Sequence, residues 1–187
     1  MKPHFAPAWL LPGIALVLLP FTVLLKTSAH DRLRNGKKSA MTISSVFTVT
    51  NNMDDGPGSL RDAITLANSN PGPDTIDFGP GVTSIPVGLM TMQPLPDITE
   101  AVTIDGGVSR VELTGNVTLP AAANGLTISA SGVTVKSLVI NSFPGNGIEK
   151  QGSSCTIQNS FIGVNGDCTP FQNLRGILVT WSNNLIE

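Results

Sequence analysis

The 187-residue sequence has no tyrosine, two cysteines, two histidines and only 13% charged residues. Each shortage excludes something. His4 and His30 both lie in the first thirty positions, so the rest of the chain offers no imidazole for a metal or for general-base work. Two cysteines cannot build a four-thiolate zinc site, and no metal-ligand spacing is present. Positive charge is scarce as well. From Ser39 onward twelve Asp/Glu stand against five Lys/Arg, an excess of seven negative charges. That balance excludes a nucleic-acid groove and an anionic-membrane patch. The length suits one domain of ordinary size, and glycine, proline, Ser, Thr and Asn are plentiful, as in turn-rich β proteins.

The front end differs in kind. Lys2 precedes an apolar run of 18 residues from Ala8 to Leu25, and Thr27-Ser28-Ala29 supplies small residues at a cleavage point. Residues 1–29 therefore read as an export signal, with an uncleaved membrane anchor as the rival. Lys26, Arg32, Arg34, Lys37 and Lys38 follow the run closely, a basic flank that normally stays in the cytoplasm. Residues 30–45 form a polar linker. On either reading the domain beyond is exported, secreted or held at the cell surface, and membrane contact is confined to the N-terminal segment.

The second half matches itself at an offset of 22. Gly125-Leu126-Thr127-Ile128-Ser129 falls on Gly147-Ile148-Glu149-Lys150-Gln151, and Val133 to Ile140 falls on Cys155 to Ile162. The match continues at an offset of 29, where Gly147-Ile148 meets Gly176-Ile177; the seven extra residues fit a loop within 165–173. Units this short cannot hold a helical hairpin but can hold two or three short strands, which is one coil of a β-solenoid. Strands are expected at 45–50, 74–78, 82–85, 102–105, 111–113, 126–129, 133–135, 138–140, 148–150, 156–158, 161–164 and 177–180. Val133, Val135, Leu138 and Ile140 should point inward and recur as Cys155, Ile157, Ser160 and Ile162. Ser160 breaks that column, and Phe161 is the residue expected to turn in for it.

One helix is expected, at about 60–69. Ser59 is a natural N-cap, with Asp62 at the far corner of a capping box. Leu60, Ala63, Ile64 and Ala67 form a single apolar stripe, and Asn70-Pro71-Gly72-Pro73 ends it. Such a helix can cover the bare first coil of a solenoid, whose open edge would otherwise recruit other chains. Ser59, Leu60, Arg61, Asp62, Ala63 and Ile64 are thus the expected structural cap, with the Arg61 guanidinium binding carbonyls or a carboxylate.

Phe47-Thr48-Val49-Thr50-Asn51, Gly58-Ser59-Leu60-Arg61-Asp62-Ala63-Ile64, Asn68, Pro71-Gly72 and Asp74-Thr75-Ile76-Asp77-Phe78 together carry a resemblance. The block resembles the N-terminal module of bacterial extracellular right-handed parallel β-helix proteins, whose signature reads roughly C/G-S-L-R-E-A-I. Val102-Thr103-Ile104-Asp105-Gly106 and Phe161-Ile162-Gly163-Val164 with Gly166-Asp167 look like that family's later coils, where a Y-I-G-T-D-x-x-G-T loop recurs. The likeness spans about 46–186. It implies an all-β, right-handed, pectin-lyase-like solenoid with one N-terminal capping helix, in a large exported protein whose relatives mostly have no known chemistry. Val164, Asn165 and Cys168 depart from the loop pattern, so no function is carried onto it.

Chemistry in such a fold should appear as polar residues stacked in one column. Ser129, Gln151 and Thr180 share a slot, as do Lys136 and Gln158, and Thr127, Glu149 and Leu178. None collects two carboxylates. Glu149 and Lys150 should face opposite ways, both as solvated side chains. Asp54-Asp55-Gly56 reads as an Asp-Gly turn rather than a calcium loop, and Asn116-Val117-Thr118 is a glycosylation sequon in form only. Cys155 occupies the slot of Val133, a small buried residue, and a bridge to Cys168 would pin the inserted loop. The expectation is a non-catalytic extracellular or cell-surface scaffold, adhesin-like, touching polysaccharide or another surface component, with no cofactor. The alternative is the N-terminal part of a polysaccharide lyase or glycoside hydrolase whose catalytic coils lie beyond Glu187. Asn184-Leu185-Ile186 falls mid-coil, so the C-terminal end is expected to be incomplete and prone to self-association.

Overall fold

The computed structural model describes residues 44–187, so the expected signal or anchor and most of the linker lie outside the described residues. The chain enters through β1 (Val46–Val49), the helix α1 (Leu60–Ser69), β2 (Asp74–Phe78), β3 (Ser84–Pro86) and β4 (Val102–Asp105). It continues through β5 (Val111–Thr114), β6 (Leu126–Ile128), β7 (Thr134–Lys136), β8 (Leu138–Asn141) and β9 (Asn146–Lys150). β10 (Thr156–Gln158), β11 (Phe161–Ile162), β12 (Arg175–Val179) and β13 (Leu185–Ile186) complete it. Every pairing between these strands is parallel.

Three sheets result. One holds β1-β2-β4-β7-β10-β13, a second β3-β5-β8-β11 and a third β6-β9-β12. Each strand pairs with its counterpart one coil away, which makes the fold an all-β parallel β-helix of about five turns, with a single helix among the described residues. The sequence period is the physical pitch. Contacts between equivalent residues span 22 positions where Ser153 meets Ser131, and 29 where Cys155 meets Asn184.

Parallel strands buried on one face need a column of apolar side chains that repeats from coil to coil. Ile76, Ile104, Val135 and Ile157 form it in the first sheet, Ile85, Leu113 and Ile140 in the second, Leu126 and Ile148 in the third, all almost fully buried. Val133, Val135, Leu138 and Ile140 face inward as expected. Phe161 does not turn in. It pairs beside Val139 on the outer side and carries the Arg110 guanidinium 4.4 Å above its ring, a cation–π contact that holds it outside.

Strand bounds shift from expectation where turns intrude. The 82–85 run becomes Ser84–Pro86, and 161–164 shortens to Phe161–Ile162 because Gly163 turns with φ +84. The short strand Leu185–Ile186 was not among the expected strands. Gly152 shows why a coil corner excludes side chains: a Cβ there would lie 1.6 Å from the Ala130 carbonyl oxygen.

Lys150 corrects the sequence reading most sharply. It takes the inward slot between Ile128 and Val179 and is fully buried, not solvated. Its ammonium donates to the Gly152 carbonyl and to Asn184 Oδ1, two neutral acceptors. A buried charge so partnered is costly compared with an apolar side chain of similar length. Lys150→Met is therefore expected to raise stability by about 1 kcal/mol or more, read by urea unfolding; a loss of stability would show that the polar link between coils outweighs the desolvation cost.

The helix lays its stripe of Leu60, Ala63, Ile64 and Ala67 against β1 and β2, at the start of the first sheet. Leu60 is completely buried there. Leu60→Ala should cost about 2–5 kcal/mol, and Leu60→Asp should in addition bring self-association, measured by sedimentation velocity.

Candidate functional site

Ser59 Oγ accepts the Asp62 backbone N–H at 3.2 Å, as an N-cap should. The reciprocal arm differs from an ordinary capping box. Asp62 Oδ2 accepts the N–H of Gly58, one residue before the cap, at 2.9 Å, while the Ser59 N–H bonds the Gly56 carbonyl. The shorter Asp side chain and the Gly56–Gly58 turn account for the change of partner.

Arg61 projects from this helix to the Asp54 carbonyl (3.0 Å), the Asp54 carboxylate (3.2 Å), and the Pro94 (2.6 Å) and Gln93 (3.0 Å) carbonyls. Asp54 is more than the exposed turn residue its Asp-Gly context suggests. It is 3% exposed, and its carboxylate accepts the N–H groups of Gly88 (2.8 Å), Met90 (3.1 Å) and Thr91 (2.9 Å) and the Thr91 hydroxyl (2.7 Å). Burial pushes this carboxyl up, but the hydrogen bonds from Thr91, Gly88 and Met90 more than offset it, and its pKa is lowered. A carboxylate stabilised in the folded state adds stability above its unfolded pKa of about 3.9 that is lost as pH falls through the folded value.

The outer face of the first sheet carries a column of polar side chains. Thr48 pairs with Asp77 in β1 and β2, and the Ile76–Ile104 register sets Asp77 beside Asp105 of β4. Asp105 pairs in turn with Lys136 of β7, and Lys136 with Gln158 of β10. One column thus collects two carboxylates and a lysine, about 4.8 Å apart from strand to strand. The sequence reading found no two-carboxylate column because it aligned only the later coils; Asp77 and Asp105 lie in earlier coils of different length.

Lys136 Nζ bonds Asp105 Oδ2 at 2.9 Å, and the Gly107 N–H bonds Asp105 Oδ1 at 2.9 Å. Partial burial pushes Asp105 up, but the Lys136 and Gly107 hydrogen bonds and the lysine charge bring its pKa below the ordinary value. Asp77 Oδ1 is buried without a hydrogen-bond partner. Just beyond the column a cleft of about 240 Å³ opens between the loops 78–83 and 106–111, with Arg110 on its lining. Arg110 reaches across the coils to the Asn159 carbonyl (3.2 Å) and Asn159 Oδ1 (2.5 Å).

Other expected positions are dispersed. Glu149 faces out, accepting from Asn124 at 2.7 Å and Gln151 at 3.0 Å, on the opposite side of β9 from Lys150. Cys155 and Cys168 are not bridged: both thiols are free, Cys155 buried in the core and Cys168 exposed in the inserted loop. Among the described residues no group of three or more His, Cys, Asp or Glu could hold a metal, and no helix is long and apolar enough to cross a membrane. Compared with known proteins, the chain matches no protein-family model and no curated protein.

Asp54→Asn should lower stability at neutral pH by about 3 kcal/mol. It should also flatten the fall in stability as pH drops through and below about 3.9. Thermal melts from pH 7 to pH 2.5 on both proteins test this; parallel curves would remove Asp54 from the acid response.

Proposed function

We propose that this chain is a non-catalytic extracellular or cell-surface β-helix scaffold, exported by its apolar N-terminal segment, that presents its outer sheet to polysaccharide or another surface component. The observation that carries the reading is the Lys136–Asp105 ion pair. Among the described residues, the one outward column with two carboxylates has its lysine held at 2.9 Å by Asp105, and the lowered pKa of that carboxyl leaves it without a proton near neutral pH. Lyase chemistry needs a free base, and hydrolysis needs a carboxylic acid that keeps its proton near neutral pH. The resemblance to bacterial extracellular β-helix proteins and the 18-residue apolar run support export. The repeated coils support a scaffold, since a solenoid offers a long, regular lateral face.

The second reading, part of a polysaccharide lyase or glycoside hydrolase, draws on the same column. Asp77 and Asp105 on neighbouring strands, with a cleft beside them, are the paired carboxylates such chemistry starts from. The two readings separate in one assay. Incubation of the chain with polygalacturonate and with alginate, with and without calcium, should release no unsaturated or reducing ends. Product that disappears in Asp105→Asn would establish the enzyme reading instead. Retention of the chain on an immobilised polysaccharide, lost in Asp105→Asn/Lys136→Gln, is the outcome expected of a scaffold that binds through this face.

A further inference from the structure

Of the two described lysines, Lys136 sits in the outer column and Lys150 is sealed inside, where neither the proposed binding face nor the helix uses it. Its register partners on the neighbouring coils are Ile128 and Val179. Its Nζ bonds the Gly152 carbonyl and, 34 positions on, the side-chain oxygen of Asn184. The Asn184 amide is itself held at both ends. The Cys155 N–H donates to the same Oδ1 at 3.2 Å, and Nδ2 donates to the Trp181 carbonyl at 2.7 Å. Two donors on one side and a carbonyl on the other fix which way the amide points: only its oxygen can face Lys150.

An amine therefore lies against a carboxamide, and the electrophilic carbon Cγ is one bond beyond the atom that Nζ touches. Desolvation in an apolar slot is one way a protein makes a lysine nucleophilic. The fixed contact supplies the effective concentration that two free side chains lack. The Cys155 N–H already sits on the oxygen that would become an oxyanion on attack, and a donor there stabilises it. The nitrogen that would leave faces the carbonyl of Trp181, a residue 66% exposed, and Asn184 is half-buried, so ammonia has a way out.

We propose that Lys150 and Asn184 join in an intramolecular isopeptide bond, a self-made modification that ties one coil to the next. Lys150 Nζ attacks Asn184 Cγ; the Nζ–Cγ bond forms and the Cγ–Nδ2 bond breaks. One proton passes from Nζ to Nδ2 within the tetrahedral adduct, so a lysine ammonium enters the reaction and an ammonium ion leaves it. No oxidation state changes, and no oxidant or reductant takes part. The product is a neutral secondary amide, which removes the buried charge that Lys150 otherwise brings. The gain in stability expected of Lys150→Met is reckoned against the unlinked chain. The modification is independent of the scaffold reading, since it lies inside the coils and not on the outer face of the first sheet.

The test is a peptide map of the full chain. The purified protein is incubated at neutral pH, unfolded and digested with trypsin, and the peptides are weighed by mass spectrometry. Trypsin does not cut after an acylated lysine. The expected product is therefore 137–175 joined through Lys150 to 176–187, lighter by one ammonia than the two peptides apart. Lys150→Arg and Asn184→Ala should each give unlinked peptides only. Separate peptides 137–150, 151–175 and 176–187 from the incubated unsubstituted chain would overturn the bond, whether or not the variants fold. So would a loss of ammonia without the joined peptide, as succinimide formation at Asn165-Gly166 gives.

Discussion

Parallel pairing between successive coils is the constraint on which everything else depends. A strand of two to five residues cannot hold itself in an extended form, and it buries too little to offset its own ordering. It persists because the coil on each side supplies hydrogen bonds to its backbone and side chains to its column. The inward positions must therefore stay apolar from coil to coil, as Ile76, Ile104, Val135 and Ile157 do. Outward positions are free to vary, and the same registry that stacks isoleucines inside stacks Thr48, Asp77, Asp105, Lys136 and Gln158 outside. Core and candidate site are two faces of one set of strand pairings.

The N-terminal end solves a separate problem with separate means. There α1 lays its apolar stripe against β1 and β2, the first two strands of the first sheet. The stripe alone would leave the helix free to slide. Arg61 prevents that by bonding the carbonyls of Gln93 and Pro94 and the carboxylate of Asp54, which itself gathers three N–H groups from 88–91. Helix, turn and following loop are thereby joined through one buried carboxylate. The polar groups here are satisfied by one another, which is the condition for burying them at all.

Legibility from sequence followed the repeat. Where the self-match is direct, at offsets 22 and 29, the inward columns and even the slot-sharing of Thr127, Glu149 and Leu178 were readable residue by residue. Where coil lengths drift, in the first half, the strands were visible but their register was not, and the Asp77–Asp105 column went unseen. The helix was readable because an N-cap and an i, i+3, i+4, i+7 stripe are local signals. Asp54 was not, because its partners lie 34 to 37 positions away in sequence. Lys150 was misread for a related reason: alternation along a strand assigns faces, but a lysine in an inward slot reads as an error in register until Asn184 is seen beside it.

The column outside and the lysine inside illustrate one asymmetry of solenoids. A half-buried pair such as Lys136–Asp105 costs less to assemble than a sealed one, because water still reaches each charge and the strands already fix their spacing. It can therefore appear without being needed for stability, and a pair that stability does not require is available to function. Lys150 is the opposite case. Its ammonium is buried beside Ile128 with only neutral oxygens accepting from it, so its presence opposes the fold rather than supporting it. What it contributes is position: the ammonium joins the Gly152 corner of one coil to Asn184 of the next, where the third sheet ends and the first resumes. An apolar residue would fill that slot as well but would not fix the two corners to each other. Specific registry between neighbouring coils is thus carried by a polar contact in the interior, while the bulk of the stability comes from the apolar columns around it.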